Sequence, residues 1–112
     1  MKTFSLRTLR IVAFDIAEAG LWYEEQEPGA GLAEALDIEV EGAILNLRTD
    51  ALFSSIRFRD VRRASLKRFA QIGVYYVVRG QDVTVIAVFH DARDPHLLRE
   101  RRDEVIRELR PE

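Results

Sequence analysis

Apolar and polar residues alternate over Thr3–Arg7, with Phe4 and Leu6 on one side, which predicts a short first strand. Thr8 is then placed to cap a helix. Val12, Ile16, Ala19 and Tyr23 recur at spacings of four, three and four, one stripe of a helix over residues 9–26. Asp15 and Glu18 have capping-box spacing and allow a later start. Pro28-Gly29-Ala30-Gly31 ends this helix, because proline removes a donor and glycine permits positive φ. Leu32, Leu36, Val40, Ile44 and Leu47 form a second helical stripe over residues 31–48. The short turn predicts an antiparallel helical hairpin whose stripes face a sheet.

Beyond Asp50 the period changes. Val61–Phe69 reads as a basic strand, with Ala64 and Leu66 on one face and Arg63, Ser65 and Lys67 on the other. Ile72, Val74, Tyr76 and Val78 alternate with their neighbours. After Gly80-Gln81-Asp82, so do Val83, Val85, Ala87 and Phe89, which gives a hairpin. The last strand is apolar on both faces, which predicts a central position and some apolar surface left for a partner to bury. Asp94-Pro95 starts a third helix running to about Arg110, with Leu98, Val105 and Leu109 as a thin stripe. The expected architecture is α+β in two layers. A helical hairpin lies on a mainly antiparallel four-stranded sheet built mainly from residues 61–90. The order is β-α-α-β-β-β plus a C-terminal helix, in one domain spanning residues 1–112.

Composition narrows the chemistry. The chain has no cysteine, which removes disulfides and thiolate chemistry, and two histidines alone make a poor metal site. No cofactor is expected. No apolar run approaches the ~20 residues of a membrane span, and Met1–Ser5 has no apolar signal core. A cytoplasmic location with no membrane partner is therefore expected. The net charge of −2 hides an uneven distribution. Residues 1–50 carry four basic against ten acidic groups, residues 51–80 seven against Asp60 alone, and residues 81–112 six against eight. A basic middle segment in an acidic chain points either to an anionic partner or to a solvated face neutralised by nearby acids.

Three segments in order carry a resemblance. They are Trp22-Tyr23-Glu24-Glu25-Gln26-Glu27-Pro28-Gly29-Ala30-Gly31; Val61-Arg62-Arg63-Ala64-Ser65-Leu66-Lys67-Arg68-Phe69 followed by Val74-Tyr75-Tyr76-Val77-Val78; and Val85-Ile86-Ala87-Val88-Phe89-His90-Asp91-Ala92-Arg93-Asp94-Pro95. Together, over roughly residues 3–96, they resemble the RelE/ParE toxin superfamily. The resemblance implies a toxin of a type II toxin–antitoxin (plasmid stabilisation) system, neutralised by a small, co-encoded, DNA-binding antitoxin. It leaves the target open. One branch resembles ParE and inhibits DNA gyrase, another resembles RelE and cleaves messenger RNA on the ribosome, and a degenerate member would only bind its antitoxin.

The residues weigh on that choice. RNA cleavage needs a base, an acid and cations for phosphate. The candidates are His90, Arg63, Lys67 and Tyr75, and His90 can equally serve as a strand-end residue bonded to the following turn. Tyr75 and Tyr76 must point to opposite faces, so at most one reaches a shared site. Residues 51–80 supply only one carboxylate, Asp60, and Asp91 and Asp94 suit turn capping. Arg62, Arg63, Lys67, Arg68 and Arg93 are the candidate partner-binding set. Arg62, Arg63, Lys67 and Arg68 form the basic segment with Arg57 and Arg59, and the expected roles of that segment are pairing with Glu24, Glu25, Glu27 and Glu41, or docking acidic antitoxin residues, ahead of RNA contact, since the chain's pI is about 5.7. Trp22 is expected in packing, or else as an exposed anchor for the antitoxin. The sequence favours a gyrase inhibitor acting by binding over a nuclease.

Overall fold

The computed structural model describes residues 3–109, with side chains through Glu108. The elements run β1 (Ser5–Thr8), α1 (Ile11–Gln26), α2 (Leu32–Asp50), β2 (Ile56–Phe58), β3 (Val61–Ser65), β4 (Ile72–Arg79), β5 (Asp82–His90) and α3 (Pro95–Leu109). The strands form one sheet in the order β1-β5-β4-β3-β2. Only the β1–β5 pair is parallel. The sheet thus has five strands where four were expected. The added strand, β2, returns along β3 through a turn at Arg59-Asp60, where Arg59 takes φ 52°.

The hairpin forms as its apolar spacing dictates. Gly29 and Gly31 take φ of 81° and 71°, which let the chain reverse between α1 and α2. Gly20 lets the helices approach, since a β-carbon there would lie 3.1 Å from that of Ala33. Glu24 accepts a hydrogen bond from the backbone N–H of Ala33 and so satisfies one of the free donors at the start of α2. Thr8 does not cap α1; the helix begins after Arg10 without a side-chain cap. Val12, Leu36, Val40 and Leu47 are buried against one face of the sheet with Val74, Tyr76, Val83, Val85 and Val88, while Ile16, Ala19, Tyr23 and Ile44 pack at the margin.

α3 covers the opposite face, adding a partial third layer to the two expected. Leu98 and Val105 pack there on Val61, Tyr75, Val77, Ile86, Ala87 and Phe89. The side chain of Leu109 and the expected helix end at Arg110 lie outside the described residues. Asp94 caps α3 through a 2.9 Å bond from His96 N–H to its carboxylate. Every residue of β5 from Val83 to Phe89 is therefore buried within the chain, so this strand leaves no apolar face for a partner.

Strict alternation fails in β5. The register with β4 shifts between Tyr75, opposite Ala87, and Tyr76, opposite Val85. Ile86 is the extra residue, so Ile86 and Ala87 both turn to the α3 side. Val85 and Ala87, expected on one face, lie on opposite faces. β3 also stops at Ser65, earlier than expected; Leu66 and Phe69 continue into the hairpin-side core without strand pairing.

Candidate functional site

The polar chemistry divides into three places. The first is at the bulge. β1 pairs with β5 only as far as Val85, so the edge of β5 beyond it needs other partners. Asp15 from α1 accepts a 3.1 Å bond from Val88 N–H, and Arg101 from α3 donates to the carbonyl of Ile86. The two side chains pair with each other bidentately, at 2.5 and 2.9 Å, and both are buried. Asp15 is therefore not a helix start. Each charge sits on the apolar stripe of its helix and closes an otherwise open sheet edge.

The second place is on the α3 side of the sheet, at the β3–β4 end. Arg63 donates to both Asp91 oxygens at 2.9 and 2.8 Å, to Ser65 Oγ at 3.0 Å and to the carbonyl of Ala70 at 2.9 Å. The Tyr75 hydroxyl donates a short bond to Asp91 Oδ1. Gly73 makes room for this cluster, since a β-carbon there would lie 2.7 Å from Arg63 Nε and 2.8 Å from the Tyr75 ring. Burial, reinforced by the Asp91 carboxylate, pushes the Tyr75 phenol up to about 12. Burial alone would raise Asp91, but the bonds from Arg63 and Tyr75 outweigh it and hold the carboxyl below its ordinary range. Tyr75 thus stays protonated at neutral pH and its proton is already engaged. Tyr76 points the other way, and its hydroxyl donates to the carbonyl of Ala51 at 2.6 Å.

The third place is a groove of 390 Å³ beside α1, lined by Ala19, Trp22, Ile72, Phe89, His90 and Arg93 among others. His90 Nδ1 accepts from Ala92 N–H at 2.9 Å, so Nε2 is the protonated nitrogen that meets Gln71 Oε1 at 3.1 Å. Arg93 pairs with Glu18 at 3.2 Å and lies 5.6 Å from the Phe89 ring centroid. Trp22 is half exposed and packs edge-on to Tyr23, which in turn meets Phe69 in the core.

These placements separate the nuclease candidates. His90 is opposite Ile72, on the hairpin side, whereas Arg63 and Tyr75 lie on the α3 side. Lys67 is exposed beyond the end of β3. Arg62 ties down the chain before β2 by donating to the carbonyls of Leu52 and Ser54. The backbone N–H of Arg68 donates to Glu39, while its guanidinium lies 5.8 Å from the Phe69 centroid. Of the basic segment, Arg63 and Arg57 pair with Asp91 rather than with Glu24, Glu25, Glu27 or Glu41, and Asp60, Glu18 and Asp15 pair with arginines outside that set. Asp60, in the β2–β3 turn, takes Arg102 and Arg79 together, each at 2.8 Å. Arg102 is the larger cause holding its carboxyl below the ordinary range. Among the described residues no cluster of three or more His, Asp or Glu side chains is arranged to hold a metal ion. No helix among them is long and apolar enough to cross a membrane.

No family model and no curated protein matches the sequence. Among solved structures, a chain of the chromosomal ParDE TA system from P. aeruginosa is similar at 16% identity with a TM-score of 0.66. The match covers 80% of this chain and 98% of that one. The likeness is one of architecture: with three helices and a five-stranded mixed sheet among the described residues, this chain has a ParE-like α+β fold.

Proposed function

We propose that this chain is the toxin of a type II toxin–antitoxin pair and that it acts ParE-like, by occupying DNA gyrase rather than by cleaving RNA. The likeness to a chain of a ParDE system supports the toxin assignment. The observation that carries inhibition over cleavage is the separation of the acid–base candidates. His90 and the Arg63–Tyr75 cluster lie on opposite faces of the sheet, and each is engaged by its own neighbours. A general base and a phosphate-stabilising cation must converge on one reacting group. Here the partly buried guanidinium already donates four bonds, to Asp91, Ser65 and Ala70, and the phenol donates to a carboxylate.

The proposed partners are a cognate antitoxin and gyrase, with Arg62, Arg63, Lys67, Arg68 and Arg93 as the partner-binding set. Of these, Lys67 and Arg68 are the most open, while Arg62 and Arg63 are held by internal bonds. The test is induced expression in a bacterial host. Growth should stop, co-expression of the neighbouring reading frame's product should restore it, and His90→Ala should remain as toxic as wild type. Loss of toxicity in His90→Ala with folding intact would instead favour the ribosome-dependent nuclease.

A further inference from the structure

The groove beside α1 has a chemistry that the toxin reading leaves unused. Its volume of 390 Å³ lies at the small end of the range for small-molecule sites. One wall is α1, with Ala19 and the half-exposed Trp22, and the other is the sheet, with Ile72, Phe89 and His90. Two aromatic rings thus bound the apolar part, which suits a flat apolar group. The polar part is the pair Glu18 and Arg93, 3.2 Å apart. Asp15 also lines the groove, but its carboxylate is taken up by Arg101 and by Val88 N–H.

The main chain adds one donor. Val88 N–H turns away from β4 to meet Asp15, so the N–H of His90, two residues on in an antiparallel ladder, turns the same way. β1 has ended by then, opposite Val85. The His90 carbonyl on this edge is met by Arg93 N–H, whereas His90 N–H bonds no group among the described residues. The Glu18–Arg93 pair is itself open to exchange. Both side chains reach solvent, and such a pair contributes little, so a ligand that offers each a new partner displaces it at small cost. Charge then chooses the ligand. A plain carboxylate would meet Arg93 but place an anion beside Glu18, and a plain amine would do the reverse with Arg93. A zwitterion satisfies both. The interior of a peptide carries neither charge, and an oligonucleotide would bring phosphates against α1, which has four carboxylates and no cation.

We propose that this groove binds a free aromatic α-amino acid, its ring between Trp22 and Phe89, its carboxylate on Arg93 and the His90 N–H, and its ammonium on Glu18. The assignment goes beyond the toxin reading and does not depend on it. L-Phenylalanine is the probe, and Trp22, the sole tryptophan, reports occupancy by its fluorescence. Titration into the purified chain should change Trp22 emission saturably, with a dissociation constant on the order of 1 mM for so small a ligand. Hydrocinnamate lacks the amine, phenethylamine the carboxylate and N-acetylphenylalaninamide both charges. Each should bind about tenfold more weakly, the loss of one or more charge-assisted hydrogen bonds. Glu18→Gln should weaken L-phenylalanine and bring hydrocinnamate level with it, whereas Arg93→Gln should weaken both. Glu34→Gln, in the first turn of α2, should change nothing. Glu18 and Arg93 both reach solvent, so unchanged melting will show that the variants fold. The His90 amide signal should move with L-phenylalanine in heteronuclear NMR. Absent saturation, a stationary His90 amide, or affinity indifferent to Glu18 and Arg93 would overturn the proposal. So would equal binding of hydrocinnamate, or of N-acetylphenylalaninamide, since a plain acid or a peptide segment would then be the occupant.

Discussion

Burying a carboxylate and a guanidinium costs several kcal/mol each in lost hydration, and Asp15 and Arg101 offset it because both carboxylate oxygens and both terminal guanidinium nitrogens have partners. They satisfy one another, the N–H of Val88 and the carbonyl of Ile86. Arg101→Ala should therefore cost roughly 3–5 kcal/mol in chemical denaturation, because Asp15 is left buried and unpaired. The double replacement Asp15→Leu with Arg101→Met should recover only part, because the two backbone groups of the bulge still lack partners. A double variant as stable as wild type would show that the bulge does not need the pair. Tyr75→Phe is milder. It removes one hydroxyl from a carboxylate that keeps Arg63, and should cost about 1 kcal/mol. It should also raise the Asp91 pKa toward the ordinary carboxylate value, followed by NMR titration. An unmoved Asp91 would contradict the bond.

Elements were legible wherever one face was apolar and the other polar. The α1 and α2 stripes and the opposite orientation of Tyr75 and Tyr76 follow directly from periods of 3.6 and 2, and the cap at Asp94 from an acid followed by proline. β5 hid its bulge because it is apolar on both faces, and a shift of parity then leaves no mark in the sequence. β2 was missed because it is three residues long and its turn uses Arg59 at positive φ, where glycine or asparagine is the usual signal. The buried ion pair did leave a signal. Asp15 falls three residues after Val12 and four before Ala19, and Arg101 falls three after Leu98 and four before Val105. Two opposite charges, each on an apolar stripe, are the mark of a buried pair. At this scale Val85→Ala should cost about 2 kcal/mol and Ile44→Ala, at the core margin, about half as much. Equal losses in urea denaturation would contradict the packing. Asp60 joins the β2–β3 turn to α3 and β4, and its folded pKa is depressed. Its contribution is present above the unfolded value of about 3.9 and lost as pH falls through the folded one. Asp60 is partly exposed, so the effect is modest. Asp60→Asn should flatten the fall in melting temperature between about pH 5 and about pH 2, and an unchanged slope would contradict this linkage.

At the scale of the whole molecule, charge is arranged by layer. The hairpin is acidic with exposed apolar ridges, whereas the basic residues lie along the sheet and on α3, many of them already paired. The groups that would serve RNA cleavage were each visible in the sequence, but their mutual placement was not. Which face of the sheet His90 takes depends on the bulge upstream of it. That placement is the physical ground for proposing inhibition by binding, in which loss of function should follow a few contact residues rather than one titratable group. The most direct measurement is DNA supercoiling by purified gyrase with and without the purified chain, run beside a translation-coupled messenger RNA cleavage assay on the same preparation. Wild type and His90→Ala should inhibit supercoiling equally, and neither should cleave. Undisturbed supercoiling together with ribosome-dependent cleavage that vanishes in His90→Ala would contradict inhibition by binding.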